Sequence, residues 1–173
     1  MNFQELRVLL NYHYWARDRL LEAVDGLSPE QYTKDLSNSF RLIRDTLVHI
    51  YSAEWIWCSR WHGELPAAML PPEMFPDLAA LRKVWGEHEL KMRSFLDSLG
   101  QDGVNRIIEY RTTGGQEWRQ VFRHMLQHVV NHASYHRGQV TTMLRQLKAA
   151  PPASMDLIKF YRESGIGSPD AGS

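Results

Sequence analysis

Apolar residues return along most of this chain with the spacing of an α-helix, and few stretches alternate as a half-buried strand would. Phe3, Leu6, Leu9, Leu10, Tyr14, Leu20, Leu21 and Val24 form one stripe and predict a first long helix from about Phe3 to Asp25, stopped at Gly26. Ser28-Pro29-Glu30-Gln31 reads as a capping box with proline at the first helical position, opening a short helical turn. A second long helix is predicted from about Phe40 to Trp61, with Phe40, Ile43, Leu47, Ile50, Tyr51, Trp57 and Trp61 on its apolar face. Glu64 to Pro76 is too rich in proline for a helix and predicts a connecting loop. A third helix follows from about Asp77 to Leu99, ending at Gly100. The β-branched and aromatic residues from Val104 to Thr113, closed by Gly114-Gly115, predict a small hairpin. The fourth long helix is expected from about Glu117 to Lys148. Pro151-Pro152 then breaks the chain, Ser154 is placed to cap a last short helix through Tyr161, and Gly165 to Ser173 reads as a loose tail. The expectation is an all-α domain over residues 1–164 with a flexible tail over 165–173.

The fourth helix also carries the most informative chemistry. His124, His128, His132 and His136 recur every four residues, so each is turned about 40° from the last. The apolar positions of this helix, from Val121 and Phe122 to Leu147, have a mean direction about 30° from His136 and about 65° from His132. His124 falls on the polar side with Arg123 and Arg145, and His128 lies at the boundary. Two imidazoles at i and i+4 on an inward face can each place a nitrogen about 2.0–2.1 Å from one zinc-like ion. A third ligand has to come from another helix. His62 beside Gly63 and His88 between Glu87 and Glu89 read as exposed, and His13 between two tyrosines reads as a hydrogen-bonded core histidine. His49, at the edge of the second helix's apolar face, is the best third ligand. Asp45 one turn before it, and His128 one turn before His132, are placed to support the ligands by hydrogen bonds.

Composition narrows the remaining choices. The 173 residues carry 20 basic and 20 acidic side chains, which gives no broad positive field for nucleic acid. No apolar run reaches the roughly 20 residues of a membrane span, and the start has no signal-peptide pattern, so a cytoplasmic protein without a membrane partner is expected. The single cysteine, Cys58, leaves no disulfide framework and reads as a packed small hydrophobe. Trp55, Trp57 and Trp61 read as core or dimer-interface packing, and Gly138 as a point of close helix approach. Glu-x-x-His pairs of a ferritin-like di-iron site and the two-histidine zinc-protease motif are both missing from the sequence. What remains is a mononuclear, nitrogen-rich centre.

The stretch from Ser39 through Asp45 and His49 to Trp55, together with His128-Val129-Val130-Asn131-His132-Ala133-Ser134-Tyr135-His136-Arg137-Gly138-Gln139, resembles the DinB family of the DinB/YfiT-like metalloenzymes. The resemblance runs from Tyr12-His13-Tyr14-Trp15-Ala16 to the closing segment Met155 to Tyr161. It implies a four-helix bundle whose second and third helices run parallel, joined by a long crossover, and a homodimer. It also implies a divalent metal, zinc or nickel first and manganese or iron after them, held by histidines that map onto His49, His132 and His136. The wider superfamily includes transferases and isomerases that use low-molecular-weight thiols. The resemblance therefore implies a thiol-dependent S-transferase or a hydrolase acting on a small-molecule substrate, with a thiolate or water at the metal as the nucleophile. The alternative is a metal-binding stress or interaction protein whose ion stabilises the bundle without turnover.

Overall fold

In the computed structural model, which describes residues 1–167, the first long helix α1 covers Phe3–Asp25. It opens on a capping box in which the Asn2 side chain accepts from the Glu5 backbone N–H and Glu5 reaches back to Asn2. The short helix α2, Pro29–Tyr32, has the predicted box between Ser28 and Gln31. The second long helix, α3, begins at Ile43, three residues later than its apolar stripe suggests. Residues 36–41 form a closed loop instead, with Leu36 donating to the Arg41 carbonyl at 2.8 Å and Arg41 to that of Asn38 at 2.9 Å. Arg41 takes a left-handed backbone with φ of 54°, which stops helix propagation and frees Phe40 to turn away from the helix face.

Helix α3 ends at Trp61, and the chain doubles back along it through a 3-10 turn at Pro72–Met74. The Leu70 N–H donates to Ser52 Oγ at 2.7 Å, and Phe75 sits edge-on against Tyr51. The connector thus delivers α4, Leu78–Gly103, to the end where α3 began. Tyr51 and Glu54 meet Trp85 and His88, while Trp61 and His62 meet Phe95, so α3 and α4 run parallel as the crossover predicts. On α1, Arg7 pairs with Asp97 and Arg17 with Glu89, which makes α1 antiparallel to α4. The last long helix, α5, Phe122–Gln146, is antiparallel to α3: His49 faces His132, Trp57 faces His128, and Trp61 faces Phe122. Leu6, Leu10, Tyr14, Ile43, Leu47, Trp85, Phe122 and Leu144 fill the space between these helices. None of the described helices is long and apolar enough to cross a membrane.

Three local expectations need correction. Glu117 to Val121 do not begin the last helix. They form strand β2, antiparallel to β1, Ile107–Arg111, with Tyr110 opposite Trp118. The hairpin also caps α5, because the N–H groups of Phe122 and Arg123, which have no acceptor inside the helix, donate to the carbonyls of Arg106 and Val104. Gly100 leaves helical backbone, with φ of 59° and ψ of −166°, so the long run of α4 stops there as expected and a further short turn follows to Gly103. Ser154 bonds to Asp156 and does not cap the last helix, α6, Leu157–Ser164, whose N-cap is Asp156. Gly138 is exposed, and no neighbouring atom lies within 4 Å of where its Cβ would sit, so no helix approaches it closely. The expected tail beyond Gly167 lies outside the described residues.

The hairpin turn at Gly114-Gly115 is closed by Gly115 N–H donating to the Thr112 carbonyl at 2.9 Å, with Gly115 at φ of 85°. A Cβ there costs about 1–2 kcal/mol in left-handed backbone strain. Gly115→Ala should therefore destabilise the protein by that amount in chemical denaturation, whereas Gly138→Ala, in an exposed helical position, should stabilise it slightly.

Candidate metal centre

The antiparallel packing of α3 on α5 brings His49 onto His132 and His136, and one ligand atom from each lies within 4.8 Å of the others. His49 Nε2 and His132 Nε2 are 3.1 Å apart. Two nitrogens bound tetrahedrally at about 2.0–2.1 Å from one ion lie roughly 3.3–3.4 Å apart, so little movement separates this arrangement from a ligand set. A hydrogen bond between two rings would also explain that distance, but it leaves the third ring without a reason. The ring centres of His136 lie 4.5 Å from His49 and 4.4 Å from His132.

Two neighbours complete the site. His136 Nδ1 lies 2.7 Å from Gln139 Oε1; a carbonyl oxygen only accepts, so Nδ1 carries the proton and Nε2 keeps its lone pair. Gln139 is one turn along the same helix, a position that spacing alone could have suggested. Phe40 stacks on His49 with ring centres 4.1 Å apart and meets His136 edge-on at 5.5 Å. No local pattern signals this contact, because it depends on the left-handed Arg41. Asp45 pairs with Arg44 Nε at 2.8 Å, and no hydrogen bond joins it to His49 among the described residues. His128 is exposed, with its ring 5.9 Å from that of His132 and edge-on to Trp57 at 5.3 Å. His124 points to solvent and His62 is exposed, as expected.

Among the described residues, no carboxylate joins these rings to offset a positive charge. Burial, and after it the neighbouring His136, lowers His49 to about 4; burial, then His136, His49 and His128, lowers His132 to about 3. At neutral pH these two imidazoles are uncharged and their lone pairs are available to a cation. The same shifts set an acid dependence. Between the ordinary value of 6.5 and the lowered ones, the unfolded chain binds protons that the folded protein refuses. Stability present above pH 6.5 is thus lost as pH falls toward 4 and then 3. Urea midpoints of the metal-free protein should decline across that window, and His132→Asn should flatten the decline.

His88 departs from expectation. It is only 4% exposed, since it lies on the face of Trp85 and Met92, one turn away on either side, and its acidic neighbours in sequence point elsewhere. It borders a polar centre that single-helix reasoning misses. Glu54, 1% exposed, accepts from His13 Nε2 at 2.8 Å, Tyr14 Oη at 2.6 Å and Trp85 Nε1 at 2.9 Å, with His88 Nε2 3.8 Å away. Burial alone would raise the Glu54 carboxyl, but His13, His88 and the Tyr14 hydrogen bond hold it at about 2. His13 is the expected hydrogen-bonded core histidine. Burial outweighs Glu54 and keeps it below the usual range, so it serves as a neutral donor.

The chain matches the profile of the DinB family over residues 1–164. The chain belongs to the DinB family. It is 26% identical over 164 residues to Protein DinB of Bacillus subtilis (strain 168), an alignment covering 90% of this chain and 94% of that protein. In fold it resembles the crystal structure of a DinB-like protein from Bacillus cereus ATCC 10987, with a TM-score of 0.66 at 16% identity, over 84% of this chain and 95% of the other. The parallel α3–α4 pair and the crossover are thus a DinB-type architecture, and the three histidines sit between the two helices that the crossover leaves antiparallel, α3 and α5.

Proposed function

We propose that this DinB-family protein is a metal-dependent enzyme in which His49, His132 and His136 hold a divalent ion, zinc or nickel before manganese or iron. The observation that carries this reading is the convergence of three imidazole nitrogens within 4.8 Å, with no carboxylate among them in the described residues to neutralise an ion. An ion with three neutral ligands keeps its full charge and supplies Lewis acidity, which favours the deprotonated form of a thiol or of water. The chain's own residues do the rest. Gln139 holds the His136 tautomer, and Phe40 packs on His49 and limits water around it. The reaction class that fits is transfer from a low-molecular-weight thiol to a small-molecule electrophile, or hydrolysis.

A second reading, in which the ion only braces α3 against α5, draws support from the same Phe40 ring, since a covered site disfavours turnover. The two differ in solution. With cobalt in place of the native ion, a small thiol should change the visible spectrum, and more strongly as pH approaches the thiol's own pKa, because the thiolate is the ligating form. A spectrum that responds to pH but to no thiol supports hydrolysis, and one that responds to neither supports the bracing role. We also read the protein as a cytoplasmic homodimer that acts on small molecules and engages neither membrane nor nucleic acid directly. The balance of 20 basic and 20 acidic residues supports the last point, and the dimer follows the family resemblance. Sedimentation analysis tests the oligomeric state.

A further inference from the structure

Beyond His49, the face of α3 that meets α5 continues through Ala53 and Trp57 to Arg60, a rise of about 16 Å along the helix. Opposite it on α5, His128 lies one turn from His132 and packs its ring edge against Trp57. At the far end Tyr110 of β1 meets Trp57 with ring centres 5.1 Å apart. The Arg60 guanidinium carbon sits over both rings, 4.8 Å from the centre of Trp57 and 5.4 Å from that of Tyr110. A row of π-systems therefore leads from the three histidines to one cation.

That cation is unusual within this protein. Three arginines are more than nine-tenths buried: Arg17, Arg60 and Arg137. Arg17 pairs with Asp18 and Glu89, and Arg137 donates to Ser134 Oγ at 2.7 Å. Arg60, 8% exposed, has a buried Nε with no hydrogen-bond partner, and it enters no ion pair among the described residues. An unpaired buried charge is costly. Two aromatic rings return up to about 2 kcal/mol each, but they offer no acceptor and leave the buried Nε–H unmatched. A leucine or methionine would fill the same space without that cost. The charge is felt toward the histidines as well, because burial and then Arg60 lower His128.

We propose that Arg60 is an oxyanion-binding residue, packed against the edge-to-face pair of Trp57 and Tyr110 so that its unmatched N–H group takes the carboxylate or phosphate group of a small-molecule ligand. Tyr110, on which Arg60 packs, also lines a cavity of about 690 Å³ whose apolar flank includes Trp118 and Leu65. The arginines that line that cavity, Arg111 and Arg119, are already paired with Glu117 and Glu109, whereas the nearby Arg60 enters no ion pair among the described residues. As an anion site it stands without a metal. As a specificity site, selecting anionic substrates whose reactive end reaches the histidines, it rests on the metal reading above.

Titration of the metal-free full chain with inorganic phosphate, at ionic strength held constant with chloride, tests the proposal by NMR. The Arg60 Nε–H and Trp57 Nε1–H resonances of the wild-type protein should move together and saturate. Arg60→Gln should raise the phosphate concentration for half-saturation at Trp57 at least tenfold, and Arg60→Lys should retain weaker binding. Absence of saturable movement in the wild type overturns the proposal, and that result needs no variant to fold. An Arg60→Gln protein that saturates at the wild-type concentration overturns it too. Phosphate saturation in a protein whose histidines take up no metal would leave the anion site standing while the metal reading fails; metal uptake without a phosphate response would do the reverse.

Discussion

Replacing Glu54 with alanine is expected to destabilise the protein by about 3–5 kcal/mol, because the change strips the partner from three buried donors at once. His13, Tyr14 and Trp85 come from α1 and α4 and converge on a carboxylate from α3, so the loss falls on the joint between three helices. Glu54→Gln should cost much less. An amide oxygen in the place of Oε2 keeps the His13 and Trp85 bonds, and its NH2 group can donate to the Tyr14 hydroxyl once that hydroxyl rotates. Tyr14→Phe removes a single bond and should cost about 1 kcal/mol. Urea denaturation of the metal-free proteins orders the three variants. A cost for Glu54→Ala no larger than that for Tyr14→Phe would show that the buried carboxylate contributes little to the joint.

Neither this joint nor the full three-histidine cluster can be read from one helix at a time, although much of their framework can. The stripe on α5 orients His132 and His136 inward, and the edge position of His49 on α3 makes it the natural partner. The family resemblance foretells the parallel α3–α4 pair, and the proline-rich connector is long enough to allow it. What escapes is everything that depends on a partner distant in sequence. Glu54 looks like an ordinary helix carboxylate until donors from two other helices meet it. His88 looks solvated by its neighbours, yet its face is set by Trp85 and Met92. Val121 continues the apolar stripe of α5 but belongs to β2, because pairing with Ile107 outweighs local helical preference. Phe40 reaches His49 only through the positive φ of Arg41, which no periodicity encodes.

The largest effect is expected at the proposed metal centre. Removing one of three imidazoles leaves two ligands and an open face, so His49→Ala, His132→Ala and His136→Ala should each weaken metal binding by on the order of a hundredfold or more, beyond the roughly 10–100-fold typical of losing an outer partner. Gln139→Ala is such an outer loss: His136 keeps its Nε2 but no longer has its tautomer held. It should fall between the wild type and the ligand variants. His124→Ala, exposed on the far side of α5, should bind as the wild type does. The most direct measurement is elemental analysis of protein purified without a histidine tag, followed by zinc and nickel titration of the stripped protein and of the His132→Ala and His124→Ala variants. The three-histidine centre predicts one divalent ion per chain in the wild-type and His124→Ala proteins and essentially none in His132→Ala. Full occupancy in His132→Ala, or no uptake of any divalent ion by the wild type, would contradict it.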